Sequence, residues 1–454
     1  MDWETIISSQ RTGDTEHTSD NIRSDYQRDF DRIVFSSGFR RLQHKTQIFP
    51  LPGSTFVHNR LTHSLEVSSV GRSLGKAVGN RLFERHRFDK HFQNPGQIYR
   101  TYWRRPCLAH DIGNPAFGHS GESSISRYFT ENSETSISGK PLRDHFSNPE
   151  WEDLTHFEGN ANGFRKNPGG LLLTYTTLAS FIKYPCSSPT ASENKKQPTA
   201  EKRIHHNKYG FFASEEPLFL DIAHKLELIE ESSNPTAFCR HPFVFLTEAA
   251  DDICYHIIDF EDAHRVGIIR QEKAEELMTA IIQTLKPEEV NKINFNMNRI
   301  TNANERISYL RGKCINCLSE SAVEIFMAYE QDIITGRMNK SLFTLTAEEC
   351  PALKELKQIS SEKIYKHKSV IEIEIAGYHI LQKLLNLFVP SVLASKPDNT
   401  EEKIISLIPE QFKTDSDKPY TRIMALLDFI SGMTDPFATD MYRRVTGIEI
   451  AHYN

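Results

Sequence analysis

Two pairs of polar side chains within residues 108–124, LAHDIGNPAFGHSGESS, could do chemistry. His110 stands directly beside Asp111, and imidazole nitrogen and carboxylate oxygen are both ligands of divalent metal ions. His119 precedes Glu122 by three residues, so on a helix the carboxylate would fix the tautomer of the imidazole and raise its pKa. A plainer interpretation is also open, in which a helix ends at a glycine and proline turn and its polar residues are solvated. The metal-site interpretation requires further ligands elsewhere in the chain.

Two further ligand candidates come from distant parts of the sequence. Neighbouring helical residues point about 100° apart, so His110 and Asp111 can hold one ion only if other elements complete its coordination. His63 lies on the apolar face of one helical pattern, and Asp251 lies in another. Two imidazoles and two carboxylates suit Mn²⁺, Fe²⁺, Ni²⁺ or Mg²⁺, whereas the lack of a thiolate argues against a structural zinc site. A single inward histidine is more often a core residue, so only the joint occurrence of all four supports a metal site.

The elements that must position these side chains are predicted to be helices. Apolar residues recur with a helical period after residue 60 and in segments 241–269, 368–389 and 422–433. Alternating apolar and polar stretches are few and short, so the sequence predicts a mainly α protein. Segments 130–150 and 183–210 break the pattern and are predicted to be mobile surface insertions.

The bulk composition narrows the class of protein. The chain has 454 residues, a formal net charge of −6 and 25% charged residues, which excludes a strongly basic protein that binds nucleic acid through bulk electrostatics. The N-terminus does not resemble a signal peptide, and the chain lacks an apolar run of about eighteen residues, so a cytoplasmic location without a membrane partner is expected. Seven scattered cysteines indicate reduced thiols. Cys314 and Cys317 have a zinc-like spacing, but the sequence offers no second pair near them.

Four ordered stretches carry a resemblance to a known family. NRLTHSLEV, HDIGNPAFGHSGE, THFEGNANGF and EAADDICYHIIDFEDA resemble the motifs of the HD-domain phosphohydrolases, specifically the deoxyguanosine triphosphate triphosphohydrolase family. The resemblance runs from about residue 30 to the end, because KIYKHK and DFISGMTDPFATDMYR also resemble that family. It implies an HD-domain helical core within residues 1–270 and a C-terminal helical region, 271–454, that completes the nucleotide pocket in one compact unit. The metal ligands that it implies are His63, His110, Asp111 and Asp251.

The helix that carries Asp251 is also expected to hold the sugar. Asp251 is preferred to Asp252 because the family places a Tyr four residues and an Asp eight residues after its ligand, as Tyr255 and Asp259 stand here. Residues with this spacing share one helix face. Asp259 would accept a hydrogen bond from the 3′ hydroxyl, and Tyr255 would pack under C2′ and disfavour ribose. The alternative is that Tyr255 is core packing and Asp259 is solvated.

Other residues are assigned to the phosphates by the same resemblance. It places His119 at the scissile phosphate with Glu122 as its partner, and His156 as a further group on the phosphate side. A solvent-exposed loop histidine is the alternative for His156. Arg60 lies one turn before His63, and its guanidinium can hold two phosphate oxygens; a solvated surface charge is the alternative.

The pocket for sugar and base is expected to include Gln47 near the sugar and Tyr365 beside the base. The family often has Gln at the next position, where this chain has Lys366. A cationic donor and an amide recognise different base edges, so the preferred base stays open.

The predicted reaction is metal-dependent hydrolysis of deoxynucleoside triphosphates, dGTP among them, to a deoxynucleoside and inorganic triphosphate. Water would attack the α-phosphorus, and the His119 and Glu122 pair would protonate the departing 5′ oxygen. One alternative is another HD hydrolase, acting on cyclic dinucleotides, guanosine tetraphosphate or 5′-nucleotides. A second is a nucleic-acid-binding protein with a vestigial core, which the basic cluster at 99–106 permits. The resemblance also implies a homo-oligomer, and single-stranded DNA or a nucleotide is considered as an effector.

Overall fold

The computed structural model describes residues 1–12, 24–49, 57–86, 88 and 104–449. These residues form a mainly α-helical protein, which confirms the predicted fold class. The helices of the first part are α1 Asp25–Phe35, α2 Ser37–Arg41, α3 Arg60–Arg85, α4 Arg104–Ala109, α5 Gly118–Glu131, α6 Asn148–Thr155, α7 Gly159–Leu171, α8 Tyr175–Phe181, α9 Ser188–Lys196, α10 Glu216–Lys225 and α11 Val244–Arg265. The later helices are α12 Gln271–Leu285, α13 Val290–Met297, α14 Ala303–Ala328, α15 Glu330–Ile334, α16 Leu342–Glu349, α17 Pro351–Ile359, α18 Lys368–Leu393, α19 Asn399–Ser406, α20 Pro419–Ser431 and α21 Asp435–Val445.

Shorter elements connect these helices. Five 3₁₀ turns are found among the described residues, and a π-helical turn follows α17. The 3₁₀ turns are Leu42–His44, Leu142–His145, Ile204–His206, Pro287–Glu289 and Glu410–Phe412, and the π turn is Ser360–Ile364. The strands pair as two small antiparallel hairpins, β1 Ser136–Ile137 with β2 Lys140–Pro141, and β3 Glu230–Ser233 with β4 Thr236–Phe238.

The two long helices predicted to carry metal ligands, α3 and α11, pack against each other. Asn59 caps α3 by accepting from the Thr62 amide at 3.0 Å, and the Thr62 hydroxyl oxygen accepts from the Asn59 amide at 3.0 Å. This capping box satisfies two otherwise unpaired backbone donors and fixes where α3 begins. The segments predicted at 368–389 and 422–433 are α18 and α20.

Two apolar clusters join the two halves of the chain. In the first, α3 and α11 pack against α14, and α14 packs against α12. In the second, α18 packs against α5 and α20. Both clusters contain side chains from before and after residue 270. Burial of apolar surface therefore stabilises both halves jointly, and the division at residue 270 stays a prediction.

The prediction of surface insertions is wrong for both segments. In segment 130–150, the hairpin β1–β2 and its following turn bury Leu142 and Phe146 in the second cluster. In segment 183–210, Cys186 and Tyr209 are buried in the same cluster. The polar composition misled the prediction because Ser and Pro begin α9, while sparse apolar residues between them supply the packing.

The cysteines predicted to be reduced thiols lie in the interior of the protein. All seven cysteines are buried and free, and the Cys314 thiol donates to the Met278 carbonyl at 3.3 Å.

Most of the basic cluster at 99–106 lies outside the described residues. Arg105 of that cluster is buried, with its guanidinium 5.0 Å from the centre of the Tyr26 ring, so it does not contribute to a basic surface. Each helix in the described ranges is too short or too polar to span a membrane.

Candidate active site

A cavity of about 590 Å³ opens where α3, the turn between α4 and α5, α11 and the start of α18 meet. Most of the residues singled out from the sequence line it. These are Gln47, Arg60, His63, His110, Asp111, His119, Glu122, Asp251, Tyr255 and Tyr365. Residues separated by several hundred positions therefore share one pocket.

The first turn of α3 supplies two buried side chains to the pocket. Arg60 donates from Nη1 to Oδ1 of Asp111 at 3.0 Å. His63, one turn later, places Nε2 3.0 Å from Oδ1 of Asp251 on α11. The capped start of α3 thus sets a guanidinium and an imidazole side by side.

The end of α4 supplies the His110 and Asp111 pair. His110 donates from Nδ1 to the Cys107 carbonyl at 2.6 Å, which fixes the ring orientation and directs Nε2 into the cluster. Nε2 of His110 lies 3.7 Å from Oδ1 of Asp111 and 3.6 Å from Oδ1 of Asp251. The two imidazoles and two carboxylates therefore converge, and Asp251 is the carboxylate that lies close to both histidines.

Two buried atoms of this cluster lack a hydrogen-bond partner, Nε2 of His110 and Oδ2 of Asp111. Buried polar atoms are normally paired, so both are the kind of atom that a bound ion satisfies. The atoms offered by His63, His110 and Asp111 lie within 4.8 Å of one another. Nitrogen and oxygen donors without sulfur fit a divalent ion of the Mg²⁺, Mn²⁺, Fe²⁺ or Ni²⁺ kind.

The charges of the cluster are consistent with metal binding. Burial alone lowers the pKa of His110, but the carboxylates of Asp111 and Asp251 outweigh burial and raise that pKa to about 9. Burial raises the pKa of Asp251, but His110 and His63 outweigh burial and hold that pKa well below its usual range. Burial likewise opposes ionisation of Asp111, and Arg60 outweighs it and lowers the pKa of Asp111. Both carboxylates are therefore ionised near neutral pH, as metal ligands must be.

The glycine of the turn before α5 makes room for Arg60. Gly118 has a φ of +56°, and a Cβ built there would lie 2.6 Å from Nη2 of Arg60. Asp435, at the start of α21, accepts from the Phe117 amide at 2.9 Å and from the Thr46 amide at 2.8 Å. The turn is thus held between α3 and the C-terminal helices.

The second polar pair of the opening motif is formed on the first turn of α5. His119 Nδ1 lies 2.6 Å from Oε2 of Glu122, whose Oε1 accepts from the Gly159 amide at 2.7 Å. The His119 side chain is 82% exposed, whereas Glu122 is buried. The hydrogen bond and charge of Glu122 raise the pKa of His119. The pair can therefore hold a proton at the edge of the cavity and present it from Nε2.

An aromatic pair lies beyond the metal-ligand cluster. The rings of Tyr255 and Tyr365 stack with centroids 5.5 Å apart and planes at 20°. Asp259, a turn beyond Tyr255 on α11, is buried below the cavity wall, and its Oδ2 lacks a partner. Burial raises the pKa of Asp259 well above its usual range. Gln47 also lines the cavity, with a buried and unpartnered Oε1. These groups give the cavity a flat apolar wall edged by unsatisfied polar atoms.

Three predicted site residues do not line the cavity: the buried Asp259, and His156 and Lys366. His156 follows α6 on the surface, and its Nδ1 lies 3.1 Å from Oε2 of Glu152. Lys366 is exposed beyond the π turn, whereas Tyr365 just before it lines the cavity. The assignments of His156 and Lys366, which rest on the resemblance, therefore stay predictions, since position in a motif does not determine the direction of a side chain.

Two lysines of the pocket were missed. Lys183 and Lys208 line the cavity, and both come from the segment wrongly predicted as a surface insertion. Lys183 Nζ lies 3.2 Å from Oε1 of Glu248, and Lys208 Nζ lies 2.9 Å from Oε1 of Glu158. Both lie in polar stretches without apolar periodicity, so the sequence did not carry a signal that could have identified them.

Similarity to known proteins extends along nearly the whole chain. A deoxyguanosinetriphosphate triphosphohydrolase-like protein of Synechocystis is 37% identical, and the match covers 99% of this chain and 100% of the relative. A protein of the same description from Pseudomonas aeruginosa is 36% identical, over 98% of this chain and 99% of the relative. The deoxyguanosinetriphosphate triphosphohydrolase of Yersinia enterocolitica is 28% identical, over 99% of each chain. Residues 344–444 match the phosphohydrolase-associated domain family. With this identity and coverage, the chain belongs to the family of deoxyguanosinetriphosphate triphosphohydrolase-like proteins.

Proposed function

We propose that this chain is a metal-dependent hydrolase that converts deoxynucleoside triphosphates to deoxynucleosides and inorganic triphosphate. The observation that carries the proposal is the convergence of His63, His110, Asp111 and Asp251 beside a cavity with cationic and aromatic walls. The names of the relatives support the same substrate class.

The four converging side chains would hold the divalent metal. When bound, the metal would supply a positive charge that draws electrons from the phosphorus and stabilises charge in the transition state. Its identity among Mn²⁺, Mg²⁺, Fe²⁺ and Ni²⁺ is left to measurement.

Three cationic side chains would hold the triphosphate, which carries about four negative charges near neutral pH. Arg60 presents a buried guanidinium beside the metal ligands, and guanidinium forks onto two oxygens. Lys183 and Lys208 also line the cavity and carry ammonium groups. Each of the three is now paired with a carboxylate, so substrate binding would exchange a protein anion for a phosphate oxygen.

The proton for the leaving group would come from His119. Hydrolysis at the α-phosphorus breaks the bond to the 5′ oxygen, which must be protonated to leave as an alcohol. Nδ1 of His119 is engaged by Glu122, so Nε2 is the atom that donates. Glu122 is held in turn by the Gly159 amide, which keeps the imidazole in position.

The sugar would lie against the Tyr255 ring, with Tyr365 beside it and the base beyond. Ribose adds a hydroxyl at C2′ that the ring would leave without a partner. An unpaired buried hydroxyl costs about 1 to 3 kcal/mol, so wild type is expected to prefer the deoxy sugar by about tenfold to more than a hundredfold in kcat/KM.

Tyr255→Ala is expected to remove most of that preference, because an open site leaves the ribose hydroxyl hydrated. Tyr255→Phe keeps the ring and is expected to keep the preference. The measurement is a competition between matched deoxy- and ribonucleoside triphosphates on the three proteins. Equal use of both sugars by wild type would contradict the assignment, as would a ratio unchanged in an active Tyr255→Ala variant.

The reaction itself is tested by identifying products from the eight common nucleoside triphosphates, with each candidate metal added under anaerobic conditions. We expect deoxynucleoside and intact inorganic triphosphate from the deoxy substrates. Release of orthophosphate or pyrophosphate instead, or turnover of cyclic dinucleotides, guanosine tetraphosphate or 5′-mononucleotides alone, would overturn the proposal in favour of another HD hydrolase.

The preferred base stays open, since Lys366 does not line the pocket. Assembly into a homo-oligomer, an effect of single-stranded DNA or nucleotides on activity, and a cytoplasmic location stay predictions. A filter-binding titration against single-stranded DNA at increasing salt tests the nucleic-acid alternative.

A further inference from the structure

A second cluster of metal-ligating side chains lies beside another cavity, of about 350 Å³. It combines two adjacent histidines of the 3₁₀ turn Ile204–His206, a glutamate of β3 and the cysteine that follows β4. These four residues are His205, His206, Glu231 and Cys239. None of them lines the cavity of the candidate active site.

Both imidazoles of this second cluster point at one carboxylate oxygen. Nε2 of His205 lies 2.6 Å from Oε2 of Glu231, and Nε2 of His206 lies 3.0 Å from the same oxygen. The two rings stand edge to face with centroids 4.4 Å apart. The atoms offered by His205, Glu231 and Cys239 lie within 4.8 Å of one another. In a tetrahedral site with metal–ligand bonds of about 2.0 to 2.3 Å, ligand atoms are separated by about 3.3 to 3.8 Å, so small side-chain shifts suffice.

Unsatisfied buried atoms also mark this cluster. Nδ1 of His205 is buried without a hydrogen-bond partner, and Nε2 of His206, although 3.0 Å from Oε2 of Glu231, does not form a hydrogen bond with it. His205 and Cys239 are themselves almost fully buried, at 2% and 4% exposure. Buried polar atoms are normally paired, and a bound cation would satisfy the two histidine nitrogens. The Cys239 thiol donates to the Gly336 carbonyl across a long 3.7 Å contact, which metal binding would replace.

The donor set identifies the kind of metal. Two imidazoles, a carboxylate and a thiol are the ligand types that four-coordinate Zn²⁺ takes in closed sites. The active-site cluster offers nitrogen and oxygen donors only, so the two clusters differ in preferred metal. Arg203 also approaches Glu231, but its Nε lies 3.6 Å from Oε1 and leaves Oε2 to the histidines.

We propose that His205, His206, Glu231 and Cys239 form a structural site for Zn²⁺ or a similar transition metal, separate from the active site. Metal bound there would tie the turn Ile204–His206 to the β3–β4 hairpin. Lys208 follows that turn by two residues and reaches Glu158 on the active-site wall. The second metal would therefore fix the segment that positions Lys208, one of the lysines proposed to bind phosphate.

The test uses the full-length protein, stripped of metal and reloaded with Co²⁺ as a spectroscopic substitute for Zn²⁺. We expect a near-ultraviolet thiolate-to-cobalt charge-transfer band, because the second cluster contains sulfur and the active-site cluster does not. Asp111→Ala should retain the band. Cys239→Ser should abolish the band and lose about one metal equivalent per chain, since each site holds one ion.

Two matched variants control the experiment. Cys314→Ser alters another buried cysteine, whose thiol contacts the Met278 carbonyl, and should leave both the band and the metal content unchanged. His206→Ala removes a ligand at the edge of the cluster. It replaces Cys239→Ser in the measurement of metal content if Cys239→Ser does not fold. Wild-type protein without a charge-transfer band would overturn the proposal and leave His205, His206 and Glu231 as a buried ion pair. Equal metal content in wild type, Cys239→Ser and His206→Ala would do the same. Neither readout depends on nucleotide hydrolysis, so the proposed function and this site stand or fall separately.

Discussion

Asp251→Asn is expected to strip most of the divalent metal from the active site and to lower kcat/KM by at least about 10³-fold. The Oδ1 atom of Asp251 lies between Nε2 of His63 and Nε2 of His110, so the change removes the charge at the centre of the ligand set. A metal ion at a phosphoryl centre contributes several kcal/mol of transition-state stabilisation, and about 4 kcal/mol corresponds to 10³-fold. The measurements are metal content by mass spectrometry and the rate of triphosphate release.

Asp252→Asn is the matched control, since it makes the same chemical change at the next residue. Asp252 also lines the cavity. Burial and Glu248 raise its pKa to about 7 against the opposing charge of Lys183, so a neutral side chain is a mild change there. We expect near-normal metal content and activity within about tenfold of wild type. Loss of metal in Asp252→Asn with retention in Asp251→Asn would place the ligand one residue later.

His119→Ala is expected to leave the metal content normal while lowering kcat by about 10² to 10⁴-fold, the usual range for a lost acid or base. His119 does not touch the metal-ligand cluster, and its imidazole is anchored only by Glu122. KM should change little, because we propose that Arg60, Lys183 and Lys208 hold the triphosphate. Full activity in a metal-replete His119→Ala variant would remove this residue from the mechanism.

Glu122→Gln separates the acid role of His119 from a merely structural one. An acid must be protonated, so activity falls as pH rises through the pKa of His119, and Glu122 raises that pKa. Removing the carboxylate lowers the pKa, and the basic limb of the kcat profile should move to lower pH. A basic limb that stays in place would show that another group donates the proton.

The sequence predicts that His63, His110, Asp111 and Asp251 come together, and the reason is physical. His63 and Asp251 lie on helices whose apolar period fixes the inward face, and that face determines where a polar side chain points. His110 and Asp111 end a helix at a glycine turn, and a helix end brings adjacent side chains to one edge. The resemblance supplied the pairing between these elements, which periodicity alone does not contain.

Other parts of the pocket could not be predicted in this way. Lys183 and Lys208 come from a segment without periodicity, whose path depends on packing of scattered residues such as Tyr209. Lys366 was singled out because the family often has Gln at that position, but successive residues at the end of a π turn face different directions. Asp259 is buried instead of lining the cavity because of how α11 packs against its neighbouring helices, and the sequence pattern of α11 alone does not contain that packing.

The hydrogen bonds accepted by Asp435 join parts of the chain that lie far apart in the sequence. This one carboxylate, on a helix near the end of the chain, accepts hydrogen bonds from Thr46 near its start and from the Phe117 turn beside His119. Unfolding of α21 would release both at once, and Gly118 would no longer be held against Arg60. The enzyme is therefore expected to lose activity cooperatively: on heating, catalysis and the helical signal of the C-terminal region should disappear in a single transition, without a partly melted state that still turns over substrate.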